Sequence, residues 1–225
     1  MIRALALAVL LALAGPAAAQ CRLALTLALD VSSSVDAREY RLQLEGLARA
    51  FEDRQVRAAL FALPSEVVAL QVYEWSGIGQ QALVQDWVEL RGAADLDRLV
   101  ARLRTRERGF ADAPTALGAA LRYGLAQLRR APACAARKID VSGDGQSNVG
   151  PPPQALRIPP ALADLTINGL AIESDEVALA RYYRSFVVRG PGAFVEVAAD
   201  FDDYARAIRA KLIRELGVPR LGALR

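Results

Sequence analysis

The chain has 225 residues, 53% of them apolar, with 28 lysines and arginines against 25 acids and no histidine. That length suits one α/β domain of ordinary size, and a net charge of +3 gives no electrostatic reason to expect a nucleic acid or a membrane surface as partner. Without histidine there is no Ser-His-Asp or Cys-His nucleophile and no histidine-ligated metal, and two cysteines are too few for a four-thiolate site, which leaves carboxylates, hydroxyls and backbone carbonyls.

In chain order, residues 1–19 are predicted to be a signal peptide. Met1-Ile2-Arg3 is a short basic start, Ala4–Ala14 an apolar stretch, Gly15-Pro16 a break, and Ala17-Ala18-Ala19 an A-x-A cleavage pattern. Eleven helical residues rise only about 16 Å, against a hydrocarbon core of about 30 Å. The alternatives are a retained anchor, or a lipoprotein signal at Cys21, where Gln20 stands in place of the usual small residue. No later segment is long and apolar enough to span a membrane, so the mature chain is expected to be soluble and exported, beginning near Gln20.

The apolar run Leu23–Leu29, ending in Asp30, reads as a central parallel strand covered on both faces. Asp36–Phe51 places Tyr40, Leu44, Leu47 and Phe51 at helical spacing. Val67–Trp75 is a second strand, Gly77-Ile78-Gly79 a turn, and Gln81–Leu90 alternates as a half-exposed, antiparallel edge strand does. Ala93–Leu103 is a charged helix, Arg104–Pro114 a loop and Thr115–Arg130 a helix with Leu117, Leu121, Leu125 and Leu128 down one side. Arg137–Ser142 is a strand, Gly143–Pro153 a Gly- and Pro-rich loop, and Gln154–Ala163 a short helix interrupted by Pro159-Pro160. A strand over Leu165–Ile172, a helix over Asp175–Phe186, a strand over Ala193–Val197 and a helix over Asp200–Leu216 complete the order. This alternation predicts a doubly wound, mostly parallel α/β sheet of about six strands with one antiparallel edge, flanked by helices, in a single domain over 21–218 with a tail at 219–225.

Cys21 lies nine residues before Asp30, and Cys134 ten before Asp144. If the two runs are neighbouring parallel strands ending at those acids, the cysteines meet at the opposite end of the sheet and can form a disulfide, as export permits. The alternative is two unpaired thiols.

Ligands of such sheets bind outside the carboxyl ends of the strands. There the sequence offers Asp30-Val31-Ser32-Ser33-Ser34, Pro114-Thr115-Ala116-Leu117-Gly118 and Ser142-Gly143-Asp144-Gly145-Gln146-Ser147-Asn148. Two carboxylates and several hydroxyls converging on one crevice suit Mg²⁺ and not a soft metal. The D-x-S-x-S run Asp30, Ser32, Ser34, with Thr115 and the Asp-Gly turn at Asp144, resembles the metal-ion-dependent adhesion site of von Willebrand factor type A domains. More narrowly, the runs 73–77 (YEWSG), 139–145 (IDVSGDG) and 190–196 (GPGAFVE) resemble a bacterial exported group catalogued as domain of unknown function 1194.

The resemblance implies that Ser32 and Ser34, joined by Thr115, bind the cation through their hydroxyls. Asp30 and Asp144 would hold its waters and orient the serines. With few charges on the metal itself, Mg²⁺ (or Mn²⁺ or Ca²⁺) would remain able to accept an acidic side chain from a protein partner. The expectation is a binding module of the bacterial periplasm or extracellular space, and not an enzyme. A Mg²⁺-dependent hydrolase of a phosphorylated or acidic substrate and a structural, metal-pinned module are the alternatives. An Asp-x-Asp nucleophile pattern is missing, because Ser32 stands at its second acid.

Each piece also has a plainer reading. Ser34 or Asp36 could simply cap the following helix, and Ser142–Asn148 could be only a tight loop. Asp112 fits a solvated loop, while Asp140 is either buried and paired or outward-facing. Trp75 and Trp87 fit the core or a sheet face. The arginines at 98, 102, 104, 106 and 108, interleaved with acids, fit a solvated helix face and loop.

Overall fold

Leucines at 23, 25, 27 and 29 alternate with Ala24, Thr26 and Ala28, so a strand here presents large side chains to one layer and small ones to the other. In a computed structural model, which describes residues 20–174, 176 and 178–217, this run is β1 (Gln20–Asp30), buried along nearly its whole length. The expected signal peptide over 1–19 and the tail over 219–225 lie outside the described residues.

The other strands are β2 (Glu66–Trp75), β3 (Gln81–Leu90), β4 (Cys134–Gly143), β5 (Thr166–Ile172) and β6 (Val195–Ala198), in the order β3-β2-β1-β4-β5-β6. β3 runs antiparallel to β2 and every other pairing is parallel, as the sequence predicts. The chain leaves β1 towards β2 on one side and later returns to β4 on the other. The crevice between the carboxyl ends of β1 and β4 is therefore the switch point of the sheet.

The leucine face of β1 packs against α1 (Ala37–Glu52), α2 (Arg54–Leu60), α3 (Ala93–Thr105) and, beyond α4 and α5 in the chain, α6 (Tyr204–Leu216). The alanine face packs against α4 (Leu117–Leu128) and α5 (Leu179–Tyr182), with Tyr73, Trp75 and Tyr183 filling the space that small residues leave. Asp36 caps α1 in a capping box with Glu39, so one plain reading of this segment holds for Asp36.

Two local expectations are corrected, and one helix is added that the sequence pattern does not announce. The helix expected to end at Phe51 is followed by α2, because the Asp53 carboxylate accepts from Gln55 and Val56 N–H and starts a new helix. The single helix expected over 154–163 is instead two 3₁₀ turns, Pro153–Ala155 and Pro160–Leu162, since prolines cannot donate the bonds a continuous helix needs. The helix expected over 175–186 is the short α5 continued by a π turn at Tyr183–Val187, while Asp175 and Val177 lie outside the described residues.

Cys21 and Cys134 are register partners on β1 and β4 and form a disulfide, with Cα atoms 4.5 Å apart. The bond ties the ends of the two central strands remote from Asp30 and Asp144.

Candidate metal centre

Asp30 closes β1 and is buried, 1% exposed. Its Oδ1 accepts from the N–H of Ser32 at 2.8 Å, which turns the chain so that alternate hydroxyls face the same crevice. The Ser32 and Ser34 hydroxyl oxygens lie 3.3 Å apart, and Ser34 Oγ donates to Asp144 Oδ1 at 2.8 Å. Thr115 Oγ1 donates to Ser32 Oγ at 3.2 Å. The five residues singled out in the sequence thus form one hydrogen-bonded chain, drawn from the end of β1 with its following turn, the loop before Leu117 and the loop after β4. Ser32, Thr115 and Asp144 are buried, whereas Ser34 is exposed and gives the cluster its opening to solvent.

The loops are held from behind by groups to which the sequence pattern assigned no part in the site. Asn148 Oδ1 accepts from Thr115 N at 2.9 Å and Asn148 N donates to Thr115 O at 3.0 Å, a reciprocal pair that joins two of the loops. The Gln43 amide of α1 donates to the Asp30 carbonyl at 2.9 Å. Arg108 Nη2 donates to the carbonyls of Val31 and Ser32, both at 2.8 Å, and Ser33 N donates to Ala113 O. Gly143 is required by close approach, because a Cβ there would lie 2.6 Å from Asp30 Oδ2 and 2.8 Å from Tyr183 Oη.

The arginine cluster divides in the structure. Arg98 and Arg104 pair with acids at the surface, as a solvated face would. Arg106 instead reaches the fully buried Glu74 through Nη2 at 3.0 Å, and Glu74 also accepts from Tyr40 Oη and Gly109 N. With Arg108, it clamps the 106–113 loop beside the Asp30 turn. A glutamate inside an apolar strand, Glu74 in β2, was the available sequence signal. Asp112 is exposed on its loop, Trp75 is core, and Trp87 donates its indole N–H to Gln127 O.

The donor set fits a hard divalent cation. Oδ2 of Asp30 is buried with no hydrogen-bond partner, and it belongs to the same carboxylate that orients Ser32. Burial, and after it the charge of Asp144, push the Asp30 carboxyl up to about 8, opposed by the Ser32 hydrogen bonds and the nearby Arg108. A cation placed among these hydroxyls would relieve both the orphaned oxygen and the repulsion. Among the described residues no three acidic or cysteine side chains gather around a common point. A surface cleft of about 600 Å³ between β3 and α3, lined by Val84, Ala101, Arg102 and Thr105 among others, contains none of the cluster residues.

A family described as "Protein of unknown function (DUF1194)" matches residues 20–219. No curated protein matches the chain. Among solved structures, a von Willebrand factor type A protein from Catenulispora acidiphila superposes with a TM-score of 0.58 at 15% identity, over 88% of this chain and 43% of that one. Proximal thread matrix protein 1 from the mussel byssus, with a zinc-occupied MIDAS motif, gives 0.58 at 14% identity, over 88% and 48%. The pilus adhesin SpaC from Lactobacillus rhamnosus GG gives 0.58 at 14%, over 87% and 30%. The chain spans less than half the length of each of these proteins, and the likeness establishes the von Willebrand factor type A fold.

Proposed function

Because the chain belongs to the DUF1194 family of proteins of unknown function and has the von Willebrand factor type A fold, we propose that it is a divalent-cation-dependent binding module of the adhesion type, and not an enzyme. The observation that carries the reading is the hydrogen-bonded chain from Asp30 through Ser32 and Ser34 to Asp144, joined by Thr115. Ser32, Ser34 and Thr115 would hold the cation through their hydroxyls, with Asp30 and Asp144 orienting them and the metal's waters. The cation is taken as Mg²⁺, with Mn²⁺ or Ca²⁺ as substitutes. When bound it supplies a Lewis-acidic point able to accept one further oxygen, and a carboxylate from a protein partner is the matching donor.

Two features of the site support this use. Hydroxyl donors bring no charge, so the cation keeps much of its attraction for an incoming anion. Arg108, fixed across the Val31 and Ser32 carbonyls, adds positive charge at the same rim. The named relatives include a pilus adhesin and a matrix protein of the mussel byssus, and their surroundings support an extracytoplasmic binding role. The disulfide supports the same setting, since such bonds persist in oxidising compartments. We take residues 21–218 as the binding domain, and export by residues 1–19 to the bacterial periplasm or beyond as its route. Among the described residues no helix is long and apolar enough to cross a membrane.

Affinity capture from the source organism's envelope fraction, run with Mg²⁺ and repeated with chelator, tests the reading. Proteins retained only with Mg²⁺, and lost with Asp144→Ala, are expected. Retention of the same proteins under both conditions would refute metal-mediated recognition.

A further inference from the structure

We propose that Lys211 and Asp140 form an intramolecular cross-linking site, at which an amide joins Lys211 Nζ to Asp140 Cγ with Glu215 as the proton carrier. Lys211 on α6 and Asp140 in the middle of β4 are both buried, 0% and 2% exposed, and they lie at the sheet face away from α4. Lys211 Nζ is 2.6 Å from Asp140 Oδ1. That contact sets the amine nitrogen directly against the carboxyl group whose carbon it would attack.

The third member is placed for proton transfer. Glu215, 2% exposed and one helical turn beyond Lys211, has Oε1 2.8 Å from Lys211 Nζ. The same oxygen accepts from Asn168 Nδ2 of β5 at 2.6 Å, which fixes the carboxylate, while Oε2 is buried without a partner. The ring of Phe194 covers the amine at 5.2 Å. Lys138 donates to the Glu215 backbone carbonyl at 2.7 Å, and Tyr204 lies buried beside Asp140. The structure therefore holds a nucleophile, an electrophile and an acid-base group in contact and away from bulk water.

Burial and a crowd of like charges favour a protonated Asp140. Two carboxylates share one ammonium in a dry site, where ionic forms are costly. Burial, and next the charge of Glu215, push the Asp140 carboxyl up to about 7, so a proton is readily held there.

The step balances without any co-reactant. Lys211 passes one proton to Asp140 and becomes a neutral amine facing a carboxylic acid. The amine lone pair forms the Nζ–Cγ bond. Glu215 takes the excess proton from nitrogen and delivers it to the departing hydroxyl, and the Cγ–O bond breaks to release one water. The product is a neutral amide that fastens α6 to β4, the strand that leads into Asp144. The inference is independent of the metal reading, since none of these three residues belongs to the hydroxyl cluster.

Intact mass spectrometry of the purified, denatured protein tests it. The expected mass is one water below that of the disulfide-bonded chain, and trypsin should yield a branched species joining the 139–157 peptide to the 210–214 peptide. Glu215→Gln, with its disulfide intact and its circular dichroism unchanged, is expected to regain the water and yield the two peptides separately. Wild-type protein at full mass, cleaved normally after Lys211, would show an ordinary buried ion triad and overturn the proposal. A Glu215→Gln protein that still lacks one water would overturn the role given to Glu215. If that variant does not fold, the wild-type mass alone decides.

Discussion

Asp30 does two things at once, orienting Ser32 with one oxygen and leaving the other buried and unpartnered. Asp144 answers it from the loop that follows β4 by accepting from Ser34. Removing Asp144 should therefore disable the cluster, and Asp144→Ala is expected to weaken Mg²⁺ binding at least about 10–100-fold in calorimetric titration. Unchanged binding would dismiss the metal assignment. Ser34→Ala separates binding from folding, since Ser34 is exposed. It should lose Mg²⁺ affinity by a similar factor while cation-free stability in urea changes by less than about 1 kcal/mol. The acids and hydroxyls were legible as a spaced pattern. Asn148, which binds Thr115 through both backbone groups, was not distinguishable from any turn-forming asparagine.

At the scale of elements, the strands and long helices follow from apolar spacing, while their interruptions follow from single side chains. Asp53 starts a further helix, α2, directly after the expected one, and prolines divide another expected helix into two 3₁₀ turns. The 106–113 loop shows what local pattern hides. Its arginines read as solvated among neighbouring acids, but Arg106 finds Glu74 across the sheet edge and Arg108 finds the carbonyls beside Asp30. Glu74→Ala leaves Arg106, Tyr40 and Gly109 N–H without their shared acceptor, so it should destabilise the fold by about 3–5 kcal/mol in urea titration. It should also lower Mg²⁺ affinity, because the clamp that positions the Ser32 turn is loosened. Full affinity in this variant would show that the loop is held without the clamp.

The whole molecule is organised as two ends of one sheet. The disulfide joins β1 to β4 at one end and closes a separation of 113 residues, while the hydroxyl cluster joins the same strands at the other. Replacing both cysteines by serine should cost about 2–4 kcal/mol, with about 4.7 as the chain-entropy ceiling, and equilibrium unfolding with and without reductant measures it. Binding at the other end adds stability by mass action, about 2.7 kcal/mol at Mg²⁺ one hundredfold above its dissociation constant. For a domain of this size that corresponds to a rise of about 5–11 °C in Tm, which chelator should abolish and Asp144→Ala should prevent.

The sequence by itself determined the order of elements, the parallel sheet with one reversed edge and the set of oxygen-bearing residues at the strand ends. Those features reside in short-range periodicity and residue type. It also made the cysteine pairing conditional on strands that tertiary structure then placed side by side. Only the folded chain decided that Asp140 faces Lys211 and Glu215 and that Glu74 answers Arg106. It likewise decided that Asn148 and Arg108 hold the loops around Asp30. Those partners are brought together by packing across layers, and no local spacing encodes a contact between residues 71 positions apart, as Asp140 and Lys211 are.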